Sequence, residues 1–226
     1  MAKLVWDQTG SRWWETGVSN GVLYKKKTTS NGGSGTTKWI GVAWNGLTGV
    51  TESPSGAELT DLWADNIKYA SIRSTETFGA TVEAYTYPDE FAECDGSKET
   101  ETGVYIGQQN RVPFCMCYKT KVGNDTQDEN DDGYKLHIIY NATASPSEKA
   151  YSTVNDSPEA ITFSWELQTT PINVTGHKPV STIVIDSRTA DPTKLATLEA
   201  KLYGGDSAEP ELPEPDELLE MMKSSS

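Results

Sequence analysis

The stretch TYPDEFAECDG (residues 86–96) places four carboxylates and a thiol within eleven residues. Asp89, Glu90, Glu93, Asp95 and Cys94 are of the right types to hold a metal or to pass protons. The same spacing also suits one short helix over 88–95. Pro88 fits the first helical position, and Asp89 and Glu90 fall in the first turn, where the helix dipole favours anions. Phe91 is an apolar anchor, and Gly96 is a natural stop. The two histidines, His137 and His177, lie far away in sequence. The structural account explains every residue, so no metal or catalytic role is assigned to the cluster.

A second candidate is the acidic run from Asp128 to Gly133. Asp128, Asn130 and Asp132 occupy positions 1, 3 and 5 of a calcium loop, and Gly133 occupies position 6. Position 12 requires a bidentate Glu, but it is Ile139, inside a strand-like run. The three oxygen ligands therefore make a weak cation candidate on an acidic hairpin loop, and no metal or cofactor is expected. The glycine-rich stretch 31–37 lacks the GK[ST] ending of a phosphate loop. Lys25, Lys26 and Lys27 read as a solvated strand end. Two histidines in unrelated contexts make no Ser-His-Asp or Cys-His set. Trp39, Trp44 and Trp165 sit in strand-like runs and read as core rather than as sugar-stacking platforms.

The elements around these residues are mostly β. Residues 161–168 (ITFSWELQ) alternate apolar and polar, so Trp165 and Leu167 face a core while Glu166 faces water. Further strands are expected at 39–44, 67–72, 81–85, 112–122, 134–140 and 182–185. Turn signals separate them: Asn20-Gly21, Asn31-Gly32-Gly33, Asn45-Gly46, Ser53-Pro54 and Asp132-Gly133. This pattern predicts a sandwich or barrel of about seven to nine strands. Residues 28–38 and 123–133 are expected to be long flexible loops.

The composition changes after Asp186. Asp191 is a good N-cap and Pro192 a good first residue for a helix over Pro192–Tyr203. Leu195, Leu198 and Leu202 form one apolar stripe that must dock on something, because a helix this short is marginal alone. An acidic, proline-bearing linker (208–215), a second short helical piece (216–223) and a serine tail follow. Two units are expected: a β domain over 1–188 and a helical, acidic extension over 189–226.

With a formal charge of −14 over 226 residues, ordinary nucleic-acid binding is disfavoured, because the surface repels phosphate. No apolar run reaches membrane-spanning length, and the start MAKLVWDQTG lacks the apolar core of a secretory signal. Three cysteines, Cys94, Cys115 and Cys117, show no CxxC spacing and read as reduced thiols. Asn-x-Thr matches at Asn124, Asn141 and Asn173 are then coincidental.

Several blocks are more specific. They are VAWNGLTGVTESPSGAE (42–58), ADNIKYASIRSTETFGATVEAYTYPDEFAECDG (64–96), IGQQNR (106–111), GYKLHIIYNATASPSEKAYSTVNDSPEAITFSWELQTTP (133–171) and GHKP (176–179). In this order they resemble the major tail protein of long-tailed, non-contractile phages of Gram-positive hosts. DPTKLATLEAKLYG and LPEPDELLEMM resemble an extension found in that family. The resemblance implies two roughly orthogonal antiparallel sheets with a flanking short helix, for which 88–95 is the candidate. It implies a non-enzymatic subunit that forms hexameric rings, stacked into a tube around the tape measure protein. The tube conducts double-stranded DNA without binding it specifically, and it ends at the tail terminator and distal tail proteins. It implies a place in the virion, after assembly in the host cytoplasm. Glu166 is the candidate for the lumen. The alternative is a carbohydrate-binding β-sandwich or a virion decoration protein.

Overall fold

A computed structural model describes residues 3–31, 34–126, 133–154, 160–206 and 208–223. The fold is mainly β, with several antiparallel sheets and a helical C-terminal segment, as the sequence predicts. The main strands are β1 (Trp13–Asn31), β2 (Ser34–Trp44), β3 (Leu47–Glu52), β6 (Gly79–Ala84), β9 (Phe114–Asn124), β10 (Gly133–Ala144), β11 (Phe163–Thr169) and β12 (Thr182–Asp186). Two hairpins, β4 (Leu59–Ala64) with β5 (Ile67–Arg73) and β7 (Lys98–Glu101) with β8 (Val104–Ile106), form sheets of their own. After α1 (Pro192–Tyr203) come a two-residue strand, β13 (Glu211–Leu212), and α2 (Pro215–Met222).

The hydrogen-bonded path runs β13-β2-β1-β9-β10-β11-β6-β3, with β12 on β10. It does not close into a barrel. The corner lies in β10. Residues 135–139 pair with β12, whereas Ala142, Thr143 and Ala144 pair with β11. Between them the register shifts and Asn141 takes a φ of +49°. A bulge of this kind lets a strand pass from one sheet to another. It also exchanges the faces: Leu136, Ile138 and Tyr140 enter one core cluster, and Ala142 and Ala144 enter the other.

The first cluster fills the space between the two halves of the path, with Leu23, Met116, Tyr118, Ile139, Val82, Trp165 and Leu167. The second lies on the opposite face of β1, β9 and β10, where Val22, Tyr24, Cys115, Cys117, Leu136 and Ile138 meet the C-terminal segment. The Asp191 carboxylate caps α1 by accepting from the Thr193 and Lys194 amides. Leu195, Leu198 and Leu202 are buried in that second cluster, joined by Leu212 and Leu218. Each buried leucine contributes about 1.5–3 kcal/mol. The expected linker 208–215 is therefore partly ordered: β13 adds to the edge of β2, opposite Trp39 and Ile40.

Three local expectations are corrected. Residues 28–31 and 34–38 are strand rather than flexible loop: β1 and β2 pair as far as Asn31 and Ser34, which suits the β-branched threonines there, and residues 32 and 33 lie outside the described residues. Residues 88–95 form not a flanking helix but a single 3₁₀ turn, Asp89–Phe91, followed by further turns to Gly96 at φ +79°. The helix that flanks the sheets is α1. Asn20-Gly21 is not a chain reversal but an irregularity within β1: Asn20 has φ +53°, and the register with β9 shifts on either side of Ser19. Gly21 lies so close to Leu47 that a Cβ would come within 2.3 Å of its Cδ1.

Candidate functional site

The acidic cluster in residues 86–96 is a set of structural ion pairs. Glu93 Oε2 lies 2.5 Å from Lys25 Nζ. Asp95 is paired with Arg111 at 3.4 Å and with Lys149, and Arg111 also donates to the Ala144 carbonyl at 3.0 Å. Together these contacts tie the 3₁₀ turn to β1, to β10 and to the segment after β10. Phe91 and Cys94 point into the core. Burial pushes the Cys94 and Cys117 thiols up to about 12, and the Cys115 thiol is raised for the same reason. Such thiols are poor nucleophiles. His137 stacks on Tyr118 with ring centres 4.7 Å apart, and its Nδ1 lies 3.3 Å from Glu52 Oε1. Tyr118 donates to the same carboxylate oxygen at 2.7 Å. The Thr120 hydroxyl lies 3.0 Å from His137 Nε2, so this polar bridge of Thr120, His137, Glu52 and Tyr118 joins β9, β10 and β3. Among the described residues no group of three His, Cys, Asp or Glu is poised to hold a metal. Asp128, Asn130 and Asp132 lie outside the described residues. Trp39, Trp44 and Trp165 are buried and unavailable for sugar stacking.

Two surfaces stand out instead. The first is the outward face of β11-β6-β3. Glu166 is exposed, opposite Thr81, and its neighbour Ser164 is opposite Glu83. Thr51 lies opposite Thr81, and Gly49 opposite Glu83. The three strands contain no lysine or arginine. The face is thus polar and acidic, while Trp165, Leu167, Val82 and Ala80 pack inward.

The second surface is the β4–β5 hairpin, inserted between β3 and β6. Its turn is Asp65-Asn66, with φ of +50° and +63°, the twist that suits a two-residue hairpin. Register places Thr60 with Ile72, Leu62 with Ala70, and Ala64 with Ile67 on one face. Asp61, Lys68 and Ser71 form a hydrogen-bonded, ion-paired group on the other. All of β4 is exposed, including Trp63 at 68 %, and so are Ile67, Tyr69 and Ile72 in β5. A lone two-stranded ribbon is at best marginal in water, and this one carries an uncovered apolar face. Such a device is suited to contact with another protein surface.

A family model described as phage tail tube protein matches residues 15–203. The chain belongs to the phage tail tube protein family. The match runs from β1 through the last residue of α1 and includes both surfaces. It makes the chain a structural protein of the phage tail, in a family that is not enzymatic. No curated protein matches the chain. Among the described residues no helix of this tail tube protein is long and apolar enough to cross a membrane. Sequence reasoning found the 67–72 strand but not β4. The Asp65-Asn66 turn signal was present, but the alternation around it is broken at Leu62-Trp63-Ala64 and at Tyr69-Ala70, where the register shifts.

Proposed function

We propose that the chain forms hexameric rings that stack into the phage tail tube. The tube encloses the tape measure protein during assembly, joins the tail terminator and distal tail proteins at its ends, and later conducts double-stranded DNA. It belongs to the virion and assembles in the host cytoplasm. In this proposal the β unit (1–188) builds the wall and the extension (189–226) closes its second face. Neither the calcium-loop residues nor any cofactor takes part.

The observation that carries this reading is the apolar β4–β5 ribbon on the same connection as the acidic β11-β6-β3 face. The ribbon supplies a surface that another subunit can cover. The β3 edge supplies backbone groups that a neighbour can pair with. The acidic face, with Glu166 and Glu83, suits a bore that repels phosphate and lets DNA pass. A ring contact of this kind is head-to-tail and closes by rotation.

Purified protein should sediment as rings or tubes as its concentration rises, with tubes of constant bore in negative-stain images. A strictly monomeric species at every concentration, also in the presence of preformed tail tips, overturns the proposal.

A further inference from the structure

An exposed apolar segment and an open groove lie on opposite flanks of β1. On one flank runs the segment before β1. Leu4, Val5 and Trp6 are consecutive apolar residues, each more than 60 % exposed. The residues just after them are anchored. Gly10 donates to Asp125 at 2.8 Å, Asn124 donates to the Gly10 carbonyl at 3.0 Å, and Arg12 donates to the Asp7 carbonyl at 2.8 Å. Asn124 ends β9, so the segment leaves the fold on the β9 side of β1. From Gly10 back to Leu4 an extended chain reaches about 20 Å.

On the other flank β2 ends at Trp44, opposite Gly21. Among the described residues no ladder continues along Val18, Ser19 and Asn20 on that side. A groove of about 610 Å³ opens there, its apolar lining including Val18, Val22, Leu47 and Leu202. Its far wall is the C-terminal end of α1, the negative end of the helix dipole. The one basic residue of that last turn, Lys201, is already paired with Glu211 and Glu217. The exposed segment opens with a cation, Lys3, directly before its three apolar residues.

We propose that Leu4, Val5 and Trp6 of one subunit dock in the groove between β1, β2 and the end of α1 of the next subunit. The contact extends the β1 sheet by backbone pairing at Val18, Ser19 and Asn20, buries the three apolar side chains, and sets Lys3 against the end of α1. Chain and groove lie on opposite sides of the same strand, so the contact is head-to-tail and one copy can serve the next around a ring. This inference rests on the self-assembly proposed above.

The test mixes two full-length variants, Val5→Cys and Ala43→Cys, each changing an exposed residue, and oxidises them after assembly. A disulfide between the two kinds of chain is intermolecular by construction. The expected result is a disulfide-linked pair in assembled material that is absent from dilute subunits. Trp6→Asp provides a second measure. The subunit should keep its wild-type melting profile, while the concentration needed for assembly rises about tenfold or more. Tubes that form without the cross-link, and at an unchanged concentration for Trp6→Asp, overturn the docking and leave the tube reading intact. Failure of the wild-type protein to assemble overturns both.

Discussion

At the scale of single residues, chemistry that looks catalytic in the sequence is used for packing. Asp95 holds Arg111 and Lys149, and Glu93 holds Lys25, so the acids fasten a turn. Leu198 is fully buried under the sheet. Leu198→Asp should cost about 2–4 kcal/mol, because it puts an unpaired carboxylate in an apolar site. Urea unfolding checks this, and a wild-type midpoint would show that the helix carries no packing energy. The three thiols are buried as well, with pKa values raised by desolvation. An unfolded thiol ionises near 8.5, whereas the folded ones keep their protons to higher pH. Above about pH 8.5 the unfolded chain therefore binds fewer protons than the folded one, and stability falls as pH rises. Each thiol contributes at most about 1.4 kcal/mol per pH unit. Thermal melts from pH 7 to 10 should drop accordingly, and alkylation should need prior unfolding. Labelling of the native protein at pH 8 would contradict this.

At the scale of elements, the C-terminal segment and the β4–β5 hairpin are opposites. α1, β13 and α2 are held by core leucines and by polar ties: Tyr24 donates to the Leu202 carbonyl at 2.8 Å, and Trp39 to Glu214 at 2.9 Å. Among the described residues the hairpin is held by its own ladder, by the Asp61 group and by hydrogen bonds at its base, between Glu58 and Ser74 and between Ser55 and Thr77. Leu62→Asp together with Ile72→Asp should leave subunit stability within about 0.5 kcal/mol, because both side chains are already in water. The same pair should abolish assembly. Hydrogen exchange should report a weakly protected hairpin in the subunit and a protected one in tubes. Equal protection in the two states would remove the hairpin from the interface.

At the scale of the whole molecule, the carboxylates behind the charge of −14 include the exposed Glu83 and Glu166 on the β11-β6-β3 face. If the β11-β6-β3 face lines the bore, Glu83→Lys with Glu166→Lys should still give tubes. DNA should leave virions carrying them more slowly, because each new cation holds a phosphate. An unchanged ejection rate, measured by dye fluorescence across a range of salt concentrations, would place this face elsewhere in the assembly.

Much of this was legible in sequence because it depends on short-range patterns. Alternation marked β11 and the inward Trp165, a proline-led and aspartate-capped stretch marked α1, and a leucine stripe marked the side that is buried. Long ordered blocks identified the family. Other features needed the fold. The 88–95 segment has helix-start signals, yet its anchors Phe91 and Cys94 are drawn into the core after one turn. β1 escaped detection because irregularities around Gly17 and Asn20 break its alternation. The exchange of faces at Asn141 and the closure of the second face by Leu212 and Leu218 depend on partners far along the chain. Sequence periodicity records which side of an element is apolar. Which surface covers that side, and which apolar side is left for another subunit, is decided only when the elements meet.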